Sequence, residues 1–164
     1  MSREMHNAYA SPADVEKTFA ALSGEQWPLE KARVLADGSI LISRQEGPDG
    51  SVVIVTSRAL PDGVPGFLER FLPRDGRAVQ TDSWGPARPD GVRSGTWQAD
   101  IPGAPAQVSG TMRLEPAAGG CTYLIDGTVT VKVPIIGGRA ESFIVDLTSK
   151  LTDKEARVLV GMLS

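Results

Sequence analysis

A single cysteine, Cys121, and a single histidine, His6, occur in the 164 residues of the chain. One thiol cannot build an intramolecular disulfide framework. With no Cys pair, His pair or His-Glu motif, a structural zinc site is excluded, and a serine triad would have only His6 to draw on. No apolar run exceeds four residues, as at 52–55, far short of the ~20 that span a bilayer. The opening residues contain no apolar h-region, so no secretory signal or integral membrane segment is expected, and the expected compartment is the cytoplasm. Charge of one sign is not in excess either. The 17 basic and 20 acidic residues leave a net charge of −3, a poor basis for binding a phosphate backbone, so no nucleic-acid partner is expected. Aromatic residues are few: four Phe, three Trp and two Tyr.

Catalytic and cofactor motifs are missing as well. There is no Gly-x-Ser-x-Gly, since Gly91-Val92-Arg93-Ser94-Gly95 has the wrong spacing. Asp49-Gly50 and Asp90-Gly91 are turn chemistry, without the further carboxylates of a calcium loop. No Walker loop or dinucleotide fingerprint is present, so no cofactor is implied. Gly137-Gly138 reads as a tight strand-to-helix corner, with anion binding at the helix start as the alternative. His6 reads as a strand-surface histidine. Cys121 falls on the inward period of a strand, where a free thiol acts as a small hydrophobe.

What is present is abundant turn chemistry and two clear periodicities. Gly 18 and Pro 12 show no fixed period, which excludes a collagen-like chain and marks many short turns. Residues 4–10 supply a leading strand. Residues 11–24 read as a helix with Ser11 as N-cap, Pro12 at its first position, an apolar face of Val15, Phe19 and Leu22, and Gly24 as a left-handed end. Trp27-Pro28 reads as an anchor and a break, with a second short helix over 29–35. A hairpin follows around Gly47-Pro48-Asp49-Gly50, and the segments 78–85, 92–101, 106–115 and 121–133 read as further strands of an antiparallel meander.

The last strand alternates Cys121, Tyr123, Ile125, Val129, Val131 and Val133 against Thr122, Asp126, Thr128, Thr130 and Lys132, so one face is buried and one is wet. Beyond 138, Phe143, Ile144, Leu147, Leu151, Val158, Leu159 and Met162 trace a stripe near 3.6 residues. That predicts a helix of ~26 residues, with Thr152-Asp153-Lys154-Glu155 as a capping box at a possible kink or restart. Between the second and third strands of the meander, Phe67, Leu68, Phe71 and Leu72 form a short amphipathic turn between Pro65 and Pro73. It reads equally as a lid hinged by Gly63 and Gly66 or as a permanent plug.

This order predicts an α+β fold: a curved antiparallel sheet wrapped round a long C-terminal helix, in one domain over 1–164. The segments SPADVEKTFA, TDSW, IPGAPAQVSGTMRLEPAAGG and above all VTVKVPIIGGRAESFIVDL resemble a bacterial family of uncharacterised START-like proteins. That family lies within the helix-grip superfamily of START, Bet v allergen and polyketide-cyclase proteins. The resemblance implies a cavity between sheet and helix, which in the superfamily takes lipids, sterols, polyketides or plant hormones.

The expected partner is therefore an apolar small molecule or lipid. Thr56 and Arg58 share a strand face, as do Gln80, Asp82 and Trp84, but alternation alone leaves open whether those faces point inward. With Phe67, Phe71, Trp97, Tyr123, Phe143, Leu147 and Leu151 they make up the candidate cavity wall. Two other readings stand beside a binder. One is a cyclase or aromatase-type enzyme drawing on Arg58, Asp82, Tyr123 or His6; the other is a ligand-free interaction module with a filled core. The sequence sets no oligomeric state.

Overall fold

A computed structural model describes residues 2–73 and 75–164. Strand β1 (Ser2–Ser11) is followed by helices α1 (Val15–Leu22) and α2 (Gln26–Leu35). Strands β2 (Ile40–Glu46) and β3 (Val52–Ala59) form a hairpin, and the short helix α3 (Gly66–Glu69) interrupts the sheet. Strands β4 (Arg77–Trp84), β5 (Arg93–Asp100), β6 (Ala106–Ala117) and β7 (Gly120–Val131) complete it before helix α4 (Gly137–Leu163). The sheet order is β1-β7-β6-β5-β4-β3-β2, antiparallel throughout. The chain thus starts at one edge, crosses to the other through α1 and α2, and returns strand by strand.

Helix α1 starts three residues later than the sequence predicts. Ser11 ends β1, and its hydroxyl lies 2.7 Å from that of Thr18 inside the core. Asp14 is the cap, accepting from the Lys17 amide at 2.8 Å. A Ser and an Asp within four residues are both good caps, and strand pairing decides between them. Gly24 does not take the left-handed conformation; Ala36, at φ 52, does so at the end of α2. Helix α2 also begins earlier than expected, because Pro28 fits its first turn, where no intrahelical amide partner is needed. The C-terminal helix is continuous over 27 residues. Thr152 donates to the Thr148 carbonyl at 2.8 Å, and Asp153 accepts from the Tyr9 hydroxyl at 2.6 Å, so the capping-box residues are bonded to their own helix and to β1.

Two apolar clusters hold α4 to the sheet. One gathers Phe19, Trp84, Trp97, Leu114, Val158 and Leu159; the other gathers Leu68, Val129, Val131 and Ala140. Between them the helix from Phe143 to Leu151 is only half-buried; Ile144, Leu147 and Leu151 border a void there, while Ser149 donates to Asn7 of β1 at 3.4 Å. Gly110 and Gly127 pair across β6 and β7 on the concave face. A Cβ at Gly127 would lie 2.6 Å from the Trp97 ring, so this glycine allows the indole to lie across the strands.

Arg93 fastens the closed end. Its guanidinium lies 3.8 Å from the Phe19 ring centroid and donates to the carbonyls of Gly50 (3.0 Å) and Gly85 (2.9 Å) and to Glu16 (3.1 Å). Arg93→Ala strips both carbonyls of their side-chain donor and should cost about 2–3 kcal/mol in urea denaturation. Arg93→Lys should recover only part of this, since an ammonium lacks the planar fork.

Candidate functional site

Alternation on β3 and β4 points Thr56, Arg58, Gln80, Asp82 and Trp84 to the concave side, the orientation that sequence left open. Facing the middle of α4, Arg58, Gln80 and Asp82 border a cavity of about 140 Å³. Its wall includes Arg58, Gln80, Asp82, Trp97, Ala99, Tyr123, Leu147 and Leu151. Towards α3 it adjoins an apolar antechamber of about 80 Å³, and the two share Leu60, Pro61, Ile101, Ala106, Ile144 and Leu147. Phe71 and Phe143 lie on the antechamber wall. Towards α1 and α2 it narrows to a crevice of about 20 Å³ between Asp82, Tyr123, Glu155, Trp84 and Trp27.

A polar chain runs down one wall. Arg58 donates to Gln80 Oε1 at 3.0 Å, and Gln80 Nε2 donates to Asp82 Oδ1 at 2.9 Å. Burial pushes the Asp82 carboxyl above its ordinary value, against the opposing pull of the Gln80 hydrogen bond and the Lys31 and Arg58 charges; Glu155 pushes the same way as burial. The Tyr123 phenol is raised by burial and then by Asp82 and Glu155. Behind Glu155, the buried Lys31 ammonium lies 3.9 Å from its Oε1 and 5.1 Å over the Trp27 ring.

The raised carboxyl has a consequence for stability. The folded state holds the Asp82 proton more tightly than the unfolded chain. Its contribution is therefore fully present below the ordinary carboxylate range and is lost as pH rises through the raised value. Asp82→Asn keeps an acceptor for Gln80 but has no charge to desolvate. It should gain about 1 kcal/mol at neutral pH, or roughly 2–4 °C in Tm. Thermal melts of the two proteins should converge near pH 4 and separate as pH rises; a separation that does not change with pH overturns the assignment.

Two of the candidate wall residues fall off the wall. Thr56 is buried beside the cavity without lining it. Phe67 is absent from the antechamber wall; it packs against the Leu68, Val129, Val131 and Ala140 cluster, with the Arg139 guanidinium 4.2 Å from its ring centroid. Trp84 reaches the crevice but is chiefly a core residue, edge-on to Phe19 at 5.7 Å. Sequence reasoning missed Glu155 and Lys31. Glu155 continues the 147, 151 spacing along α4, a signal hidden by its reading as a cap. Lys31 carries no sequence signal, since only the packing of α2 against α4 brings it beside Glu155.

The remaining candidates lie elsewhere. His6 is exposed on the outer face, its Nδ1 2.6 Å from Asp126 Oδ1, and this contact raises its pKa. Cys121 is buried, with its thiol 3.4 Å from the Thr18 hydroxyl. A Cβ at Gly137 would lie 3.0 Å from the Val131 carbonyl, as a tight strand-to-helix corner requires. Among the described residues no group of three or more His, Cys, Asp or Glu could hold a metal ion, and no helix is long and apolar enough to cross a membrane.

A seven-stranded antiparallel sheet gripping a long C-terminal helix over an internal cavity defines the helix-grip class, with its START-like and Bet v-like members. Solved structures of similar fold include the di-domain ARO/CYC StfQ from the steffimycin biosynthetic pathway, with a TM-score of 0.67 at 14% identity over 99% of this chain and 51% of that one. A Thermus thermophilus protein matches with a TM-score of 0.61 at 13% identity over 100% of both chains. Norcoclaurine synthase from Thalictrum flavum matches with 0.55 at 12% identity over 99% of this chain and 86% of that one. The chain belongs to a family described as a protein of unknown function, DUF2505, whose model matches residues 7–163. An uncharacterized protein of Mycobacterium tuberculosis is 29% identical over 122 residues, 73% of this chain and 70% of its own length.

Proposed function

We propose that the protein binds a small apolar molecule carrying one polar group, held between the sheet and the middle of α4. The observation that carries this reading is the cavity of about 140 Å³, apolar over most of its wall with the polar chain of Arg58, Gln80 and Asp82 along one side. Such a mixture is what orients a small ligand. A dry cavity of about 150 Å³ holds a benzene ring, so the main chamber suits one ring or a short chain, with the antechamber taking a tail. Large lipids and sterols exceed this space.

Native mass spectrometry of the purified chain should show a population heavier by one small molecule that solvent extraction removes. The stripped protein should take up 1-octanol saturably, one to one, in isothermal titration calorimetry. An unadorned mass together with no saturable uptake sinks the proposal. The meeting of Arg58, Asp82 and Tyr123 in one cavity favours a second reading, an acid–base enzyme of cyclase type. Under that reading Asp82→Asn abolishes turnover of a substrate it still binds.

A further inference from the structure

The polar groups around the crevice are unevenly supplied with hydrogen-bond donors. Gln80 spends both ends of its amide on Arg58 and Asp82. The Thr152 hydroxyl donates to its own helix. Among the described residues, the second oxygen of Asp82 and the Tyr123 hydroxyl have no hydrogen-bond partner, and neither is sealed from the void. Glu155, facing them from α4, has only the 3.9 Å contact with Lys31, which lines none of the three chambers and balances Glu155 from behind. Arg58, the other cation, sits two inward positions nearer the mouth than Asp82, and its guanidinium is engaged by Gln80. The inner end therefore offers two carboxylates, beside which the Tyr123 hydroxyl can both accept and donate. The rings of Trp84, Trp27 and Tyr123 close it, and aromatic faces attract cations.

Resting on the reading of the cavity as a small-molecule site, we propose that it selects a protonated primary amine on an apolar body. The ammonium sits among Asp82, Glu155 and the Tyr123 oxygen. The hydrocarbon runs out past Leu147 towards Phe71 and Phe143. An ammonium brings three donors to a place with at least three unused acceptors, whereas a hydroxyl brings one and a carboxylate none. Charge-assisted hydrogen bonds to carboxylates are also about twice as strong as neutral ones.

The test compares n-octylamine, 1-octanol and octanoate, which share one hydrocarbon tail, by calorimetry on the full chain at neutral pH. Quenching of tryptophan fluorescence supplies an independent readout, since Trp97 and Trp84 line the chambers. Octylamine should bind about tenfold more tightly than octanol, and octanoate more weakly than either. In Asp82→Asn the amine should lose more affinity than octanol does and fall to within about threefold of it. Octanol or octanoate matching the amine in the wild type overturns amine selection and leaves the small-molecule site standing. An amine preference that survives in both Asp82→Asn and Glu155→Gln overturns it too. Absence of binding by all three probes removes the site reading and the amine proposal together.

Discussion

Ala99→Trp should abolish uptake of an eight-carbon ligand without unfolding the protein. Ala99 lies on the inward face of β5, opposite Gln80 on one side and Val108 on the other, and its methyl group borders the main chamber. An indole at this position projects into a void of about 140 Å³ rather than into packed neighbours. Displacing four methylenes of a bound chain forfeits about 3 kcal/mol at ~0.8 kcal/mol each, or roughly a hundredfold in Kd. Filling a cavity tends to stabilise, so Tm should hold or rise by a few degrees. Calorimetry with 1-octanol and a thermal melt on the same sample read both effects. Retained affinity places the ligand elsewhere, and a collapsed Tm shows that the chamber has no room for the ring.

Gly110→Ala should be the most damaging single methyl group in the sheet. Its Cβ would drive into the Asp126 carbonyl and come within 2.6 Å of the Gly127 Cα, both backbone atoms of the neighbouring strand. Backbone cannot rotate out of the way as a side chain can. The β6–β7 ladder would have to open where Trp97 lies across it and donates its indole N–H to the Asp126 carbonyl at 3.1 Å. A cost of about 3 kcal/mol or more is expected, a fall in Tm of roughly 6–12 °C. Gly161→Ala is the matched control. Its Cβ meets nothing within 4 Å in α4, and it should gain about 0.5–1 kcal/mol from helix propensity alone. If both variants melt with the wild type, the close approach of the two strands is wrong.

Much of the fold was readable because its signals are local and repeated. Period-two alternation over β6 and β7 identifies the buried face residue by residue, down to Cys121 and Val129. The apolar stripe after Gly137 marks α4, and the turn clusters separate the strands. The cavity wall was readable in part for the same reason, since Trp97, Tyr123, Leu147 and Leu151 lie on those faces. Failures came where two local rules compete and a distant contact decides. Ser11 and Asp14 are equally good caps until β1 claims Ser11 for its pairing with Cys121. Thr152–Glu155 has the composition of a helix start, yet Tyr9 on β1 holds Asp153 in mid-helix. Lys31 belongs beside Glu155 only once α2 is laid against α4, a long-range fact that no spacing encodes.

In the proposed binding role, the fastening of α4 at Ala140–Glu141 and again at Ala156–Leu159 would govern how quickly an occupant can leave. A rod held at two points cannot swing aside without breaking both, so its amides should resist hydrogen exchange whether or not the chamber is filled. The antechamber wall includes Leu68, the one deeply buried side chain of the four-residue α3. If the cavity is filled as proposed, that short segment sets the residence time, and a substitution at its exposed Glu69 should change the off-rate while the melting point stays where it was.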